Sequence, residues 1–231
     1  MAYTTGSLVT KVQNRVRDTG YSTSEIKQYL TDTVRDVHNE YPTLPIWRTS
    51  ADYTVTATNS DITAGVGLPA DYGVPLQLIN RTSGAEAVIP YIDQSDLELQ
   101  SPDHTDSAVY TNGQPQYWYY DGSTIRLFPA PAGAYTLRLS YMKNPSELSD
   151  DADIPTIPSS FEEMLVVGAA YRVLQVKGVY DEAGILENKY QELLQKLVDK
   201  SIRTPTVHSM KTNRIGGVAS RSIDSYRRIP Y

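Results

Sequence analysis

Leu8, Val12 and Val16 recur at every fourth position. That helical period governs both ends of the chain, and a period of two fills the stretch between them. A first helix is predicted from about Ser7 to Asp18, with Gly20 just past its end. The second opens on Ser22-Thr23-Ser24-Glu25. This is a capping box, in which the serine hydroxyl accepts from the Glu25 amide while the Glu25 side chain reaches back. Ile26, Tyr29, Leu30, Thr33, Val34, Val37 and Tyr41 share one face, and Pro42 and Pro45 stop the helix.

From about Trp47 to Asp150 the alternation is that of strands. Asp52–Ala57, Leu76–Ile79 and Ala87–Tyr91 are short runs bounded by turn residues. Tyr117-Trp118-Tyr119-Tyr120, then Asp121-Gly122, then Ser123–Leu127 form a predicted hairpin, with Asp-Gly supplying the positive φ angles of a type I′ turn. Tyr135, Leu137, Leu139 and Tyr141 alternate with Thr136, Arg138 and Ser140, the pattern of a half-buried strand. Asp93 to Leu99 reads as a short surface helix. Antiparallel hairpins of this kind imply a small sandwich or a curled sheet, not a βαβ fold.

Helical spacing returns after Pro155-Thr156-Ile157-Pro158, with a second capping box at Ser160-Phe161-Glu162-Glu163. Met164 to Leu174 is apolar almost all round, so this helix is buried on several sides, inside a bundle or against a neighbouring subunit. If the cover is a neighbouring subunit, Met164, Leu165, Val167, Tyr171 and Leu174 are the contact; Lys177-Gly178 ends the helix. A last helix, from about Asp181 to Lys200, puts Leu186, Tyr190, Leu193, Leu194 and Leu197 on one stripe with a Glu192–Lys196 pair outside. The predicted class is α+β: a helical bundle built from N- and C-terminal halves, an inserted antiparallel β-domain and an extended C-terminal tail. The boundaries are 1–48, 49–154, 155–202 and 203–231.

Charge sets the tail apart. Arg203, Lys211, Arg214, Arg221, Arg227 and Arg228 face a single acid, Asp224, a formal +5. The whole chain carries −6, so residues 1–202 carry −11. A basic, Ser/Thr-rich segment without an apolar period does not bury enough surface to offset its ordering entropy alone. It is expected to be an arm that docks on something else. An acidic body repels a duplex, which favours a protein partner over DNA. Eighteen tyrosines against two tryptophans and two phenylalanines suit half-wet surfaces and subunit contacts. No apolar run approaches a membrane span, and no secretory signal is read at Met1–Thr5.

Candidate chemistry is sparse. His38, His104 and His208 fall on a helix, a loop and the tail, without a second ligand at metal-binding spacing. Asp150-Asp151-Ala152-Asp153 lacks the glycine and distal glutamate of a calcium loop. There is no cysteine, no P-loop and no nucleophile elbow. The expectation is a non-enzymatic protein without a metal or cofactor. Alternative readings are a carbohydrate-binding tail module, with Tyr117, Trp118, Tyr119 and Tyr120 as a stacking platform, a DNA-binding regulator and a cell-wall hydrolase.

The order of several short motifs narrows this. Leu68-Pro69-Ala70-Asp71-Tyr72 precedes Gly113-Gln114-Pro115-Gln116-Tyr117, Ile125–Pro131 and Leu137–Tyr141, and then Pro145, Leu148, Ile157-Pro158 and Phe161-Glu162. Together with the helix–strand–helix layout, roughly residues 5–202 resemble the head-to-tail adaptor proteins of tailed bacteriophages. The resemblance implies a twelve-copy ring that binds the portal protein above and tail or nozzle proteins below, with a channel for double-stranded DNA. It also implies a location in the virion neck, after synthesis in the host cytoplasm. The arm would dock in portal clefts through Arg203, Lys211, Arg214, Arg221, Tyr226, Arg227, Arg228, Ile229 and Tyr231. Tyr117, Trp118, Tyr119 and Tyr120 would face the tail.

Overall fold

The computed structural model describes residues 3–62, 67–84, 86–102, 112–121 and 124–202. The fold is mixed α+β, with five α-helices and antiparallel sheets among the described residues. Helix α1 spans Thr5–Arg15 and α2 spans Thr23–Glu40. Strands β1 (Arg48–Val55), β2 (Tyr72–Asn80) and β3 (Ala87–Ile89) follow, then α3 (Gln94–Gln100). Next come β4 (Tyr117–Asp121), β5 (Thr124–Phe128) and β6 (Tyr135–Lys143), and finally α4 (Glu162–Val176) and α5 (Tyr180–Ile202).

Helix α1 starts and stops earlier than its sequence period predicts. Thr4 and Ser7 form a reciprocal capping box at its head. Its tail is closed by Val16, and Arg17 takes a φ of 54°. Gly20 therefore does not cap it; its amide donates to the Asp18 carboxylate at 3.1 Å. At α2 the Ser22 hydroxyl accepts from the Glu25 amide at 3.4 Å. The second predicted box is absent: α4 is entered through a 3-10 turn at Ser159–Phe161, and no side chain caps it. Its exit is as predicted. Gly178, at φ 76°, donates to Gln175 O, and the next amide, of Val179, donates to Leu174 O, a Schellman pair.

Helices α1, α2, α4 and α5 contribute to one apolar core, in which α4 touches each of the other three. Leu148, Ile157 and Met142 of β6 join the same core. Trp47 is fully buried there, donates to Tyr41 O at 3.0 Å and meets the His38 ring edge-on at 5.0 Å. His38 is thereby a packing residue. His104 and His208 lie outside the described residues.

The strands bury a second core. The larger sheet has the order β1-β6-β2-β3, and β4 pairs with β5. In the larger sheet Leu139 lies opposite Ala51 and Leu78, and Leu78 opposite Ile89, so one face carries the apolar row. That face packs on Trp118, Ile125 and Leu127 of the hairpin. Two short segments tie the sheets together. The Ile62 amide donates to Ile125 O and the Leu127 amide to Ser60 O, while Trp118 N donates to Pro90 O and Ile92 N to Trp118 O. Single bridges, Asp61 to Arg126 and Tyr91 to Trp118, thereby flank both strands of the hairpin. The hairpin ladder ends with Asp121 opposite Thr124, so Asp121 is a strand residue and not the first turn residue. Its carboxylate pairs with Arg126 at 2.8 Å, which holds it in the strand.

Candidate functional site

Several of the residues that carry the family resemblance meet in space. A turn from Pro69 O to the Tyr72 amide, 2.9 Å, starts β2. It aims the Asp71 carboxylate at the Tyr141 hydroxyl, which donates to it at 2.9 Å. Burial and that carboxylate push the Tyr141 phenol up to about 12. The Tyr72 ring lies 5.3 Å from that of Tyr141, and its hydroxyl accepts from Tyr120 at 3.2 Å. Start of β2, end of β6 and hairpin are thus clamped by three tyrosines and one acid. Nearby, Gly113 bridges Pro131, its amide donating to Ala130 O at 2.8 Å. The Gly-x-Pro and Pro-x-Pro segments, on either side of the hairpin, therefore lie side by side.

The helical unit is stapled by charge. Glu162 pairs with Lys11, and Glu163 accepts from Arg15 at 2.6 Å and from Lys189 at 2.8 Å. Burial pushes the Glu163 carboxyl up, but Lys189 and Arg15 outweigh it and hold it below the ordinary glutamate value. Two carboxylates at the head of α4 also suit its dipole. Arg172 reaches across to α2, donating to Thr33 Oγ1 at 2.5 Å and to Gly168 O at 2.9 Å, and pairing with Asp36. Helix α5 is long, and Lys200 near its end stands 5.2 Å from the centre of the Phe161 ring.

Of the residues expected at a subunit contact, Met164, Leu165, Val167 and Leu174 are buried inside the protomer itself. Within the protomer α1, α2 and α5 cover α4. Tyr171 alone among the five is partly exposed, its ring 5.8 Å from that of Tyr190 and under the Arg172 guanidinium. Of the four β4 aromatics, Trp118 and Tyr119 are buried, at 4% and 3% exposed, and Tyr117 and Tyr120 are half-buried. Two of the four rings are thus taken up by the β-core. Arg203, Lys211, Arg214, Arg221, Tyr226, Arg227, Arg228, Ile229 and Tyr231 lie outside the described residues.

Exposed apolar side chains stand out on other surfaces. Val74, Leu76, Val88 and Tyr91 are exposed on the β-structure and Leu99 on α3; Val176, Tyr180 and Ile185 are exposed where α4 turns into α5. An exposed apolar residue has no sequence signature apart from a buried one of the same period, so only the packing reveals it. Among the described residues no group of three or more His, Asp or Glu side chains is placed to hold a metal ion, and no helix is long and apolar enough to cross a membrane. Asp93 caps α3, its carboxylate accepting from the Ser95 amide at 2.9 Å.

The described residues thus form an α+β body stapled by ion pairs, with exposed apolar side chains on its outside. The family model described as SU10 adaptor protein matches residues 3–214, and the chain belongs to that family of phage adaptor proteins. No curated protein matches it.

Proposed function

We propose that the chain is the head-to-tail adaptor of a tailed phage, a structural protein whose copies form a ring between portal and tail. The observation that carries this reading is the span of the family match, which runs from residue 3 through the body and into the arm as far as residue 214. Body and arm then act together. The four long helices form one bundle from both ends of the chain, 1–48 and 155–202, and carry 49–154 as an inserted β-domain. The bundle is the rigid seat of the subunit, with Tyr171 and not the buried α4 residues turned towards a neighbour. The β-domain faces the tail or nozzle proteins.

The arm docks in clefts of the portal ring and folds on binding, so its ordering cost falls at assembly. At about 3.3 Å per residue, residues 203–231 span roughly 95 Å when extended, enough to cross more than one portal subunit. A ring of arms, twelve by the family resemblance, multiplies weak contacts into a firm joint. The acidic body keeps DNA phosphates off the channel wall and lets the genome pass. This role calls for no cofactor and no catalysis, and it places the protein in the virion neck after synthesis in the host cytoplasm. Imaging of the particle neck tests the reading: a ring of this chain directly below the portal, with its β-domain towards the tail, is expected. A chain found elsewhere in the particle, or in single copy, overturns it.

A further inference from the structure

Three exposed apolar side chains converge on one groove. Leu76, Val88 and Tyr91 line an open channel of about 740 Å³ across the outside of the β-structure. Its floor is short and polar, with Ser50 of β1 paired to Ser140 of β6, and Gln77 of β2 beyond them. Trp118 backs the groove and holds the Tyr91 ring edge-on at 4.8 Å, so this wall is built before any partner arrives. Arg48 is the charged side chain of the lining, and it has no carboxylate partner among the described residues.

Apolar walls and one unpaired cation call for an apolar side chain beside a carboxylate. The same chain displays that combination on α3. Leu99 is 82% exposed, and it is flanked by Glu98 and by Asp96, neither of which is paired with a cation among the described residues. No α3 residue lines the groove, so a chain does not fill its own. The basic arm is a poor occupant, since its cations would meet Arg48.

We propose that α3 of one copy inserts Leu99 between Leu76, Val88 and Tyr91 of the next copy, with its carboxylates facing Arg48. Every copy then gives a knob to one neighbour and receives one from the other, the head-to-tail relation that closes a ring. The inference rests on the ring reading above and assigns it a contact. The apolar insertion supplies the burial, and the ion pair chooses the partner face and its register.

The chain has no cysteine, which makes a disulfide test clean. Full-length protein carrying Val88→Cys with Leu99→Cys, assembled in particles and oxidised, is expected to run as a ladder of linked chains. Neither single variant gives a ladder. Arg48→Glu is expected to lower the yield of tailed particles by about tenfold, the effect of ~1.4 kcal/mol at the contact. Glu98→Arg in the same chain restores it. All four positions are exposed, and circular dichroism of each variant verifies the fold. A neck ring without interchain bonds, or with a single dimer band, overturns this contact and leaves the ring reading standing. A neck without a ring removes that reading itself.

Discussion

Gly168 lies where α4 crosses α2, and a Cβ there would stand 2.6 Å from Thr33 Cγ2 and 3.1 Å from the Tyr190 ring. Gly184, early in α5, has nothing within 4 Å of the same position. Gly168→Ala is therefore expected to destabilise by about 1–3 kcal/mol through overpacking. Gly184→Ala is expected to stabilise by about 0.5–1 kcal/mol through helix propensity. Urea midpoints of the two variants measure both. Sequence shows two helical glycines and does not separate them; only the neighbour across the interface does. Glu163 offers a second test at this scale. Its carboxyl is held low when folded, so its contribution is present above the unfolded value of about 4.3 and is lost as pH falls through the lower folded one. The group is 44% exposed, and water screening keeps that contribution within about 1 kcal/mol. Wild type and Glu163→Gln are expected to differ near neutral pH and to converge in melts below about pH 4.

At the scale of elements, two serines with the same local motif behave differently. Ser22 caps α2, and Ser22→Ala is expected to cost about 1 kcal/mol. Ser160 sits inside a 3-10 turn and caps nothing, so Ser160→Ala is expected to stay within about 0.5 kcal/mol of wild type by thermal melts. The Ser-x-x-Glu pattern was legible at both places, but the second was overridden from a distance. Glu163 is claimed by Arg15 and Lys189, and Glu162 by Lys11, residues of helices that local sequence does not bring near. The hairpin differs within itself: Asp121 continues the ladder opposite Thr124, and its carboxylate pairs with Arg126 of the facing strand. Where the signal is local, as in the alternation of Leu137, Leu139 and Tyr141 or the Gly178 cap, sequence and structure agree.

For the molecule as a whole, an all-round apolar helix announced burial but not by what. Helix α4 is covered by its own chain, and exposed apolar side chains lie elsewhere, Tyr91 and Leu99 among them, where periodicity does not mark them. The motif order did carry across scales, since Asp71 meets Tyr141 and Gly113 meets Pro131 in the folded body. The body needs no part of the arm to fold: the described helices and strands close their cores with residues up to 201. A chain ending at residue 202 is therefore expected to keep the circular dichroism and melting point of the full protein.

The most direct test is to offer both chains to DNA-filled heads and to count the particles that acquire tails. The full chain is expected to join them, and the chain ending at residue 202 is expected to remain folded and fail. Normal joining by the truncated chain would contradict the account, because the basic arm would then have no part in holding the adaptor to the portal.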